Sequence, residues 1–514
     1  MDTKEKFYIT TTLPYVNSDP HLGFALEMVQ ADVIARYHKD ILKQDVFFNT
    51  GTDEHGQKVF TKATESGKEI QAYVDEYANK FKRLMPALGI SPEIHFIRTT
   101  DAHHVAACQT FWKRCFDKGD IYKKIYKVKY CVGCELEKTE SDLDENGRCL
   151  IHPHLEIELI EEENYFFRFS KYEQPLLEFY NTHPDFVVPD FRFNEIKAFV
   201  KSGLQDFSIS RLKSKMSWGV PVPDDDHHVM YVWFDALINY VSTLGWPEEM
   251  KHEAGNTKQD GMLHVSSSMF HNFWGTMEHP NAIQIAGKDN LRQQSAMWQA
   301  MLMSAGLPNS KQIIIHGFIN SGGQKMSKSL GNVADPYQII DLLISKGLTK
   351  EQATDALRYY LLREISTFED GDYTWEKFVE SYNAGLANGI GNLTSRILKM
   401  AIGNSVPSSP FEERMPAGQE RLSQYLDSYE LQKAADAIWQ KIAACDQFIQ
   451  KNEPFKVIKI NKEQAVKDIQ HLLLKLHQIA IDLTPFLPVT SEKILSVLKD
   501  PKLENIPRLF PRIE

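Results

Sequence analysis

Cysteine is scarce in this chain, with six residues in 514. So few cannot form the disulfide framework that holds small secreted domains together, and the placement of each becomes informative. No apolar run approaches the roughly 20 residues that a bilayer-spanning helix needs, and no low-complexity tract breaks the chain. Positive charge is in deficit: 58 Lys and Arg stand against 69 Asp and Glu, for a net charge of −11 at pH 7. That balance argues against general nucleic-acid affinity, yet leaves room for a local basic track, because net charge is silent about distribution. Asp2, Lys4, Glu5 and Lys6 precede the first strand pattern, so the N-terminus does not read as a secretory signal. A cytoplasmic protein without a membrane partner is expected.

What is present is an ordered composition, 42% apolar and 25% charged, on a chain long enough for roughly two to four domains. Residues 7–13 form a candidate strand that runs through Pro14 to His21-Leu22-Gly23-Phe24. Leu26, Val29, Val33 and Tyr37 then share one helical face, with Glu27, Gln30, Asp32 and Arg36 mostly elsewhere, so an amphipathic helix should open at His21. The apolar run 46–48 ends at Gly51-Thr52-Asp53, and further strands are expected at 228–234, 283–286 and 312–318. Residues 1–115 and 221–324 therefore read as an α/β domain with a doubly wound parallel sheet, whose ligands sit at the carboxyl ends of strands. Residues 116–220 form an insertion. Beyond Pro336 the periodicity is helical to about Lys499, giving a connecting region at 325–375 and an all-α helical bundle at 376–514.

Cys108, Cys115 and Cys445 are isolated and read as small buried apolar residues. The other three belong together. Cys131-x-x-Cys134 is followed, after 14 residues, by Cys149-x-x-His152, the two-knuckle spacing of a structural zinc site. A disulfide or incidental spacing is the alternative, and a histidine in the fourth slot opposes the former.

Two short motifs carry chemistry. Lys325-Met326-Ser327-Lys328-Ser329 lies between Ser321-Gly322-Gly323 and Gly331-Asn332, so two ammonium groups sit on a loop with flexible flanks, suited to a polyphosphate that must be gripped and released. At a helix start, the His21 imidazole and free backbone N–H groups can stabilise negative charge, and Gly23 allows close approach. Taken singly, each motif is equally an ordinary solvated turn or a capping histidine.

Together, the His-x-Gly helix start and the Lys-Met-Ser-Lys-Ser loop resemble the signatures of class I aminoacyl-tRNA synthetases. The runs Thr12-Leu13-Pro14-Tyr15-Val16-Asn17, Gly51-Thr52-Asp53-Glu54-His55-Gly56, Tyr231-Val232-Trp233-Phe234-Asp235-Ala236 and Asp355-Ala356-Leu357-Arg358-Tyr359-Tyr360 narrow the resemblance to the methionyl-tRNA synthetase family. It implies a Rossmann-type catalytic domain with a zinc-knuckle insertion and an α-helical anticodon-binding domain. The implied reaction activates methionine with ATP and transfers it to tRNA(Met), initiator tRNA included. His21, Lys325 and Lys328 would act on the phosphates, with Gly23, Glu27, Gly287 and Asp289 also holding ATP, and Mg²⁺ arriving with the nucleotide. Asp53 would pair with the substrate ammonium, while Leu13, Tyr15, Trp233, Ala236, Leu237, Tyr240 and Gln294 enclose its side chain. Asn388, Asn392 and Arg396, spaced by four on one helix face, and Phe455 would meet the anticodon, with Gly385, Gly389 and Gly391 admitting a nucleotide. Zn²⁺ would sit on Cys131, Cys134, Cys149 and His152.

The insertion is too short for the editing domain of related ligases, and no C-terminal module follows the helical domain, so a monomer is expected. The chain departs from the family pattern at Phe24, where a polar residue is usual and where packing on adenine is one expectation. It departs again at Gln293-Gln294, where Phe-His is usual, and at Phe455, where tryptophan is usual. Gln294 leaves a ligase for another amino acid as an alternative, and Phe24 an RNA-binding paralogue with little catalysis.

Overall fold

The computed structural model describes residues 4–134, 136–138, 142–247, 269–326, 332–407, 420–500, 503 and 506–514. Its centre is a six-stranded parallel sheet in the order His95–Arg98, Asp45–Thr52 (β2), Lys6–Thr10 (β1), Ala282–Gly287, Gln312–His316 and Val187–Val188. Strand order reverses between β1 and Ala282–Gly287, which opens a crevice at their carboxyl ends, the usual ligand position in such sheets. The apolar runs at 283–286 and 312–318 became buried strands as expected, although the latter stops at His316.

Three sequence expectations need correction. Residues 228–234 are no strand of the parallel sheet: His228–Met230 pairs antiparallel with Ser210–Leu212, and Val232–Ala236 turns helical. A short apolar run cannot by itself separate a buried strand from a buried helical turn. The region 116–220 contributes more than an insertion, because Val187–Val188 returns to form the edge of the central sheet. Four of its other strands, Leu136–Lys138, Ile121–Cys131, Glu158–Phe167 and Phe207–Ser208, make a separate antiparallel sheet.

The third correction concerns the helix Leu22–Arg36 (α1), which is buried all round rather than amphipathic. One side packs on the sheet through Phe7, Ile9, Ile283 and Ile285, and the same apolar cluster continues through Leu357 and Tyr360 to Leu472 and Leu476 of the C-terminal helices. Its buried charged residues are paired. Asp32 Oδ2 lies 2.8 Å from Arg358 Nη1 and 2.8 Å from Arg36 Nε, and Asp32 Oδ1 accepts from Ser91 N and Oγ. The buried Arg358 also donates to the carbonyls of Leu88, Pro485 and Phe486. Burial opposes ionisation of Asp32, but Arg358 and then Arg36 outweigh it and hold the carboxyl below its usual range.

Among the described residues from Pro336 onward the elements are helices, apart from the strand Gly371–Tyr373, which runs parallel to Ile319–Ser321.

Removing one partner of the buried Asp32–Arg358 pair strands the other. Arg358→Met should lower unfolding free energy by about 3–5 kcal/mol. Because the Asp32 pKa is depressed on folding, this contribution is present above the unfolded carboxylate range and fades as pH falls through the folded pKa. Urea titrations of both proteins at neutral and acid pH should show the gap narrowing in acid.

Candidate active site

The crevice begins where α1 opens. His21 is its N-cap with an extended backbone, and its Nδ1 accepts from Gly23 N–H at 3.0 Å. In the neutral ring the hydrogen is therefore on Nε2, which becomes the donor. The first backbone N–H groups are engaged: Leu22 N donates to Ala334 O at 3.0 Å, and Phe24 N to His21 O at 3.0 Å. The sequence-based expectation that free N–H groups await an anion here is thus corrected. Gly23 serves the histidine directly, since a Cβ there would come within 2.8 Å of His21 Cε1. Phe24 stacks on the His21 ring, with centroids 4.3 Å apart, and meets Phe81 edge-on.

Behind His21 lies a pair the sequence did not disclose. Glu27 accepts from Thr12 N and Oγ1 at 2.7 and 2.6 Å, and its other oxygen lies 2.9 Å from His316 Nε2. His316 Nδ1 faces the Gly317 carbonyl at 2.7 Å, so both ring nitrogens meet acceptors. Burial works against its charge, yet the Glu27 hydrogen bond and carboxylate raise the His316 pKa above the ordinary value. The only sequence signal was a histidine closing an apolar strand. Gly287 ends the neighbouring strand over this ring, and Asp289 follows it, exposed at the crevice.

On the other flank, Tyr15 and Asp53 are joined by a parallel bridge beyond the ends of β1 and β2, with Asp53 N donating to Pro14 O at 2.9 Å. Trp233 meets Tyr15 edge-on at 6.3 Å, and its Nε1 is buried without a hydrogen-bond partner among the described residues. Leu13 is half-buried nearby in sequence, while Ala236, Leu237 and Tyr240 are buried on the turns after Trp233. Gln294 donates to Tyr240 Oη at 2.7 Å. Two further supports were missed. Arg98 grips Glu54 with Nε and Nη2 at 2.6 and 2.8 Å, and His55 Nδ1 lies 3.0 Å from Asp235 Oδ2.

Lys325 ends the short strand Gln324–Lys325, paired antiparallel with Ile319–Ser321. Gly322 and Gly323 have φ of 62° and 76°, the left-handed values of a two-residue hairpin turn, so they shape a tight turn instead of supplying slack. Lys328 lies outside the described residues.

In the insertion, the donor atoms of Cys131, Cys134, Cys149 and His152 all lie within 4.8 Å of one another. Cys134 Sγ is 3.5 Å from Cys149 Sγ and 3.2 Å from His152 Nδ1, and Cys131 Sγ is 3.9 Å from the same nitrogen. A tetrahedral zinc requires donor separations of about 3.5–3.8 Å, so the four groups fit the ion. The cysteines are free thiols, not a disulfide.

Far from the crevice, Asn388 belongs to the wide turn Tyr382–Gly391, which is broken at Gly389, whereas Asn392 and Arg396 lie on Asn392–Gly403. The expectation of one continuous helix face thus holds only for the latter two. Asn388 and Asn392 are exposed, and Arg396 pairs with Asp446 at 2.5 Å. Gly385 admits no nucleotide: a Cβ there would strike Tyr359 Oη at 1.9 Å. Phe455 is exposed on Pro454–Val457.

Residues 7–149 and 133–398 match the family model for class I tRNA synthetases (M), and residues 409–508 that for the anticodon binding domain of methionyl tRNA ligase. The methionine–tRNA ligase of Thermotoga maritima is 41% identical over 505 residues, spanning 95% of this chain and 74% of the relative. The chloroplastic/mitochondrial methionine–tRNA ligase of Arabidopsis thaliana is 37% identical over 512 residues, spanning 97% and 78%. Methionyl-tRNA synthetase of Mycobacterium tuberculosis, solved with methionyl-adenylate, aligns at a TM-score of 0.84 and 34% identity across 99% of this chain and 97% of that one. The chain belongs to the methionyl-tRNA ligase family. Of the positions where the sequence departs from the family pattern, Phe24 stacks on His21, and Gln294 donates to the buried Tyr240.

The His316–Glu27 pair makes a pH prediction. A histidine whose pKa rises on folding contributes stability that is complete below its unfolded pKa and is lost as pH rises through the folded value. The stability difference between the protein and its His316→Gln variant, followed by thermal unfolding, should therefore be larger near about pH 6 than near about pH 9.

Proposed function

We propose that this protein is an ATP-dependent ligase that activates methionine as methionyl-adenylate and transfers it to the 3′-terminal ribose of tRNA(Met), initiator tRNA included. The observation that carries this reading is the crevice at the sheet's switch point, where His21 at one flank and Tyr15, Asp53 and Trp233 at the other face the same strand ends. A methionine carboxylate oxygen attacks the α-phosphorus of ATP and pyrophosphate leaves; a ribose hydroxyl of tRNA then attacks the carbonyl, and AMP leaves. Such chemistry depends on positioning and on charge stabilisation.

His21 Nε2, Lys325 and Lys328 hold the phosphates in this reading, with Gly23 and the Glu27–His316 pair keeping His21's surroundings in place. Gly287 and Asp289 hold the ribose. Asp53 takes the substrate ammonium, and Leu13, Tyr15, Trp233, Ala236, Leu237, Tyr240 and Gln294 enclose the thioether. Magnesium arrives on the ATP and supplies counter-charge. Asn388, Asn392, Arg396 and Phe455 form the anticodon contact. Zinc on Cys131, Cys134, Cys149 and His152 supplies a structural cross-link, and the domain limits are those expected from sequence, with the strand Val187–Val188 returned to the catalytic sheet.

Exchange of labelled pyrophosphate into ATP, measured without tRNA for each standard amino acid, tests the reading. Methionine alone should support exchange. His21→Ala should slow it by about 10²–10³-fold, and Phe24→Ala, which removes the ring stack on His21 and the edge contact with Phe81, by roughly two- to tenfold. Exchange with a different amino acid, or with none even after tRNA is added, would overturn the assignment.

The metal reading has its own test. Purified protein should carry about one zinc per chain. Chelation, or Cys134→Ser, should remove amide-exchange protection from residues 131–152 and leave the central parallel sheet protected.

A further inference from the structure

A nucleotide has a fixed length, so the groups that hold its ribose and those that hold its outer phosphates must stand at a fixed separation. In this crevice they stand on different elements. Gly287 and the turn Lys288–Asn290 close one central strand. Lys325 ends the hairpin that continues from the neighbouring strand Gln312–His316 through Gly317 and Phe318.

One pair of side chains braces the two. Lys288 Nζ lies 2.6 Å from Asp370 Oδ2 and 4.5 Å from the centre of the Phe318 ring. The other Asp370 oxygen accepts from Phe318 N–H at 3.0 Å, and Phe318 O accepts from Gly371 N–H at 2.8 Å. Burial opposes ionisation of Asp370, but the hydrogen bonds from Lys288 and Phe318 outweigh it, Arg192 adds a smaller pull, and the carboxyl is held below its usual range. Two residues on, Asp372 Oδ1 accepts from Gly323 N–H at 2.7 Å while Oδ2 pairs with Lys377 at 3.1 Å. One carboxylate thus ties the strand-end turn to the root of the hairpin, and the next holds the hairpin's own turn. The joint has no slack: a Cβ on Gly317 would come within 2.1 Å of Glu369 O.

Lying between Gly287 and Asp289, Lys288 could be taken for a direct phosphate ligand. The geometry gives its ammonium another task, since a carboxylate and an aromatic face already hold it. We propose that Lys288 is a positioning residue: through Asp370 it registers the turn that bears Asp289 against the hairpin that bears Lys325, and so sets the separation at which the two ends of ATP are held. The inference rests on the ATP reading of the crevice. Both partners keep contact with solvent, so the pair adds little to stability and its loss should fall on the reaction instead.

The test follows methionine-dependent pyrophosphate exchange in Lys288→Met, Asp370→Asn and the double variant, with thermal unfolding to show that each is folded. Asn at 370 keeps an oxygen for Phe318 N–H and removes only the charge that faces Lys288. Each single change should lower kcat roughly five- to thirtyfold, with a smaller change in KM for ATP, because a misregistered nucleotide still binds by one end. The double variant should be no slower than the slower single one, since both changes break the same brace. Lys288→Arg should stay within about threefold of wild type. Transfer of methionine from the isolated enzyme–adenylate complex to tRNA should be unchanged, because pyrophosphate has already left; general damage to the crevice would slow that step too. A raised KM for ATP in Lys288→Met beside normal exchange in Asp370→Asn would show a direct phosphate contact and overturn the proposal. So would single effects that multiply in the double variant, or an equal slowing of transfer. Absence of methionine exchange in the wild-type protein instead overturns the functional reading, and the role of the brace with it.

Discussion

The buried contact between Asp32 and Arg358 fixes how the two halves of this molecule meet. One partner lies on α1, whose first turn carries His21, and the other reaches three carbonyls from the sheet side and the helical domain. Such a pair gains little over a well-packed apolar contact, because desolvation offsets the Coulomb attraction, but its geometry admits few alternatives. Asp355, one turn before Arg358, continues the line by accepting from Thr490 N and Oγ1 at 2.7 and 2.6 Å. The helix that carries the histidine is thus tied through a run of buried polar groups that ends in the helical domain.

A second joint ties the lysine-bearing segment to the same helix. Ala334, just beyond it, accepts the Leu22 N–H, while Asp370 pairs with Lys288 at 2.6 Å and accepts from Phe318 N. Asp372 accepts from Gly323 N at 2.7 Å, anchoring the hairpin turn. The base of the segment is therefore held on both sides, by the turn at Lys288 and by the start of α1.

Much of this was legible in the sequence because buried parallel strands are near-continuous apolar runs and metal knuckles have a fixed spacing. The strands at 283–286 and 312–316 and the Cys131–His152 cluster came through for those reasons. What failed did so where tertiary context reverses a local signal. Glu27 and Asp32 suggested a solvent face on α1, yet their partners Thr12, His316, Arg358 and Ser91 are brought in from elsewhere in the chain. Gly385 suggested room for a ligand and instead makes room for Tyr359. Val187–Val188 is too short to carry any periodicity.

Occupied amides at the start of α1 change how the crevice must handle charge. With Leu22, Gly23 and Phe24 N–H all engaged by protein acceptors, a phosphate cannot be cradled by a helix N-terminus through direct amide contacts. What the described residues offer instead is the His21 imidazole, fixed by Gly23 and the Phe24 ring. A backbone cradle would grip substrate and product alike. Side-chain donors that close over the phosphates and withdraw contribute chiefly when the charge has developed, and a reaction that must release pyrophosphate needs that difference. The fixed part of the described crevice is therefore the histidine with its Gly23 and Phe24 supports.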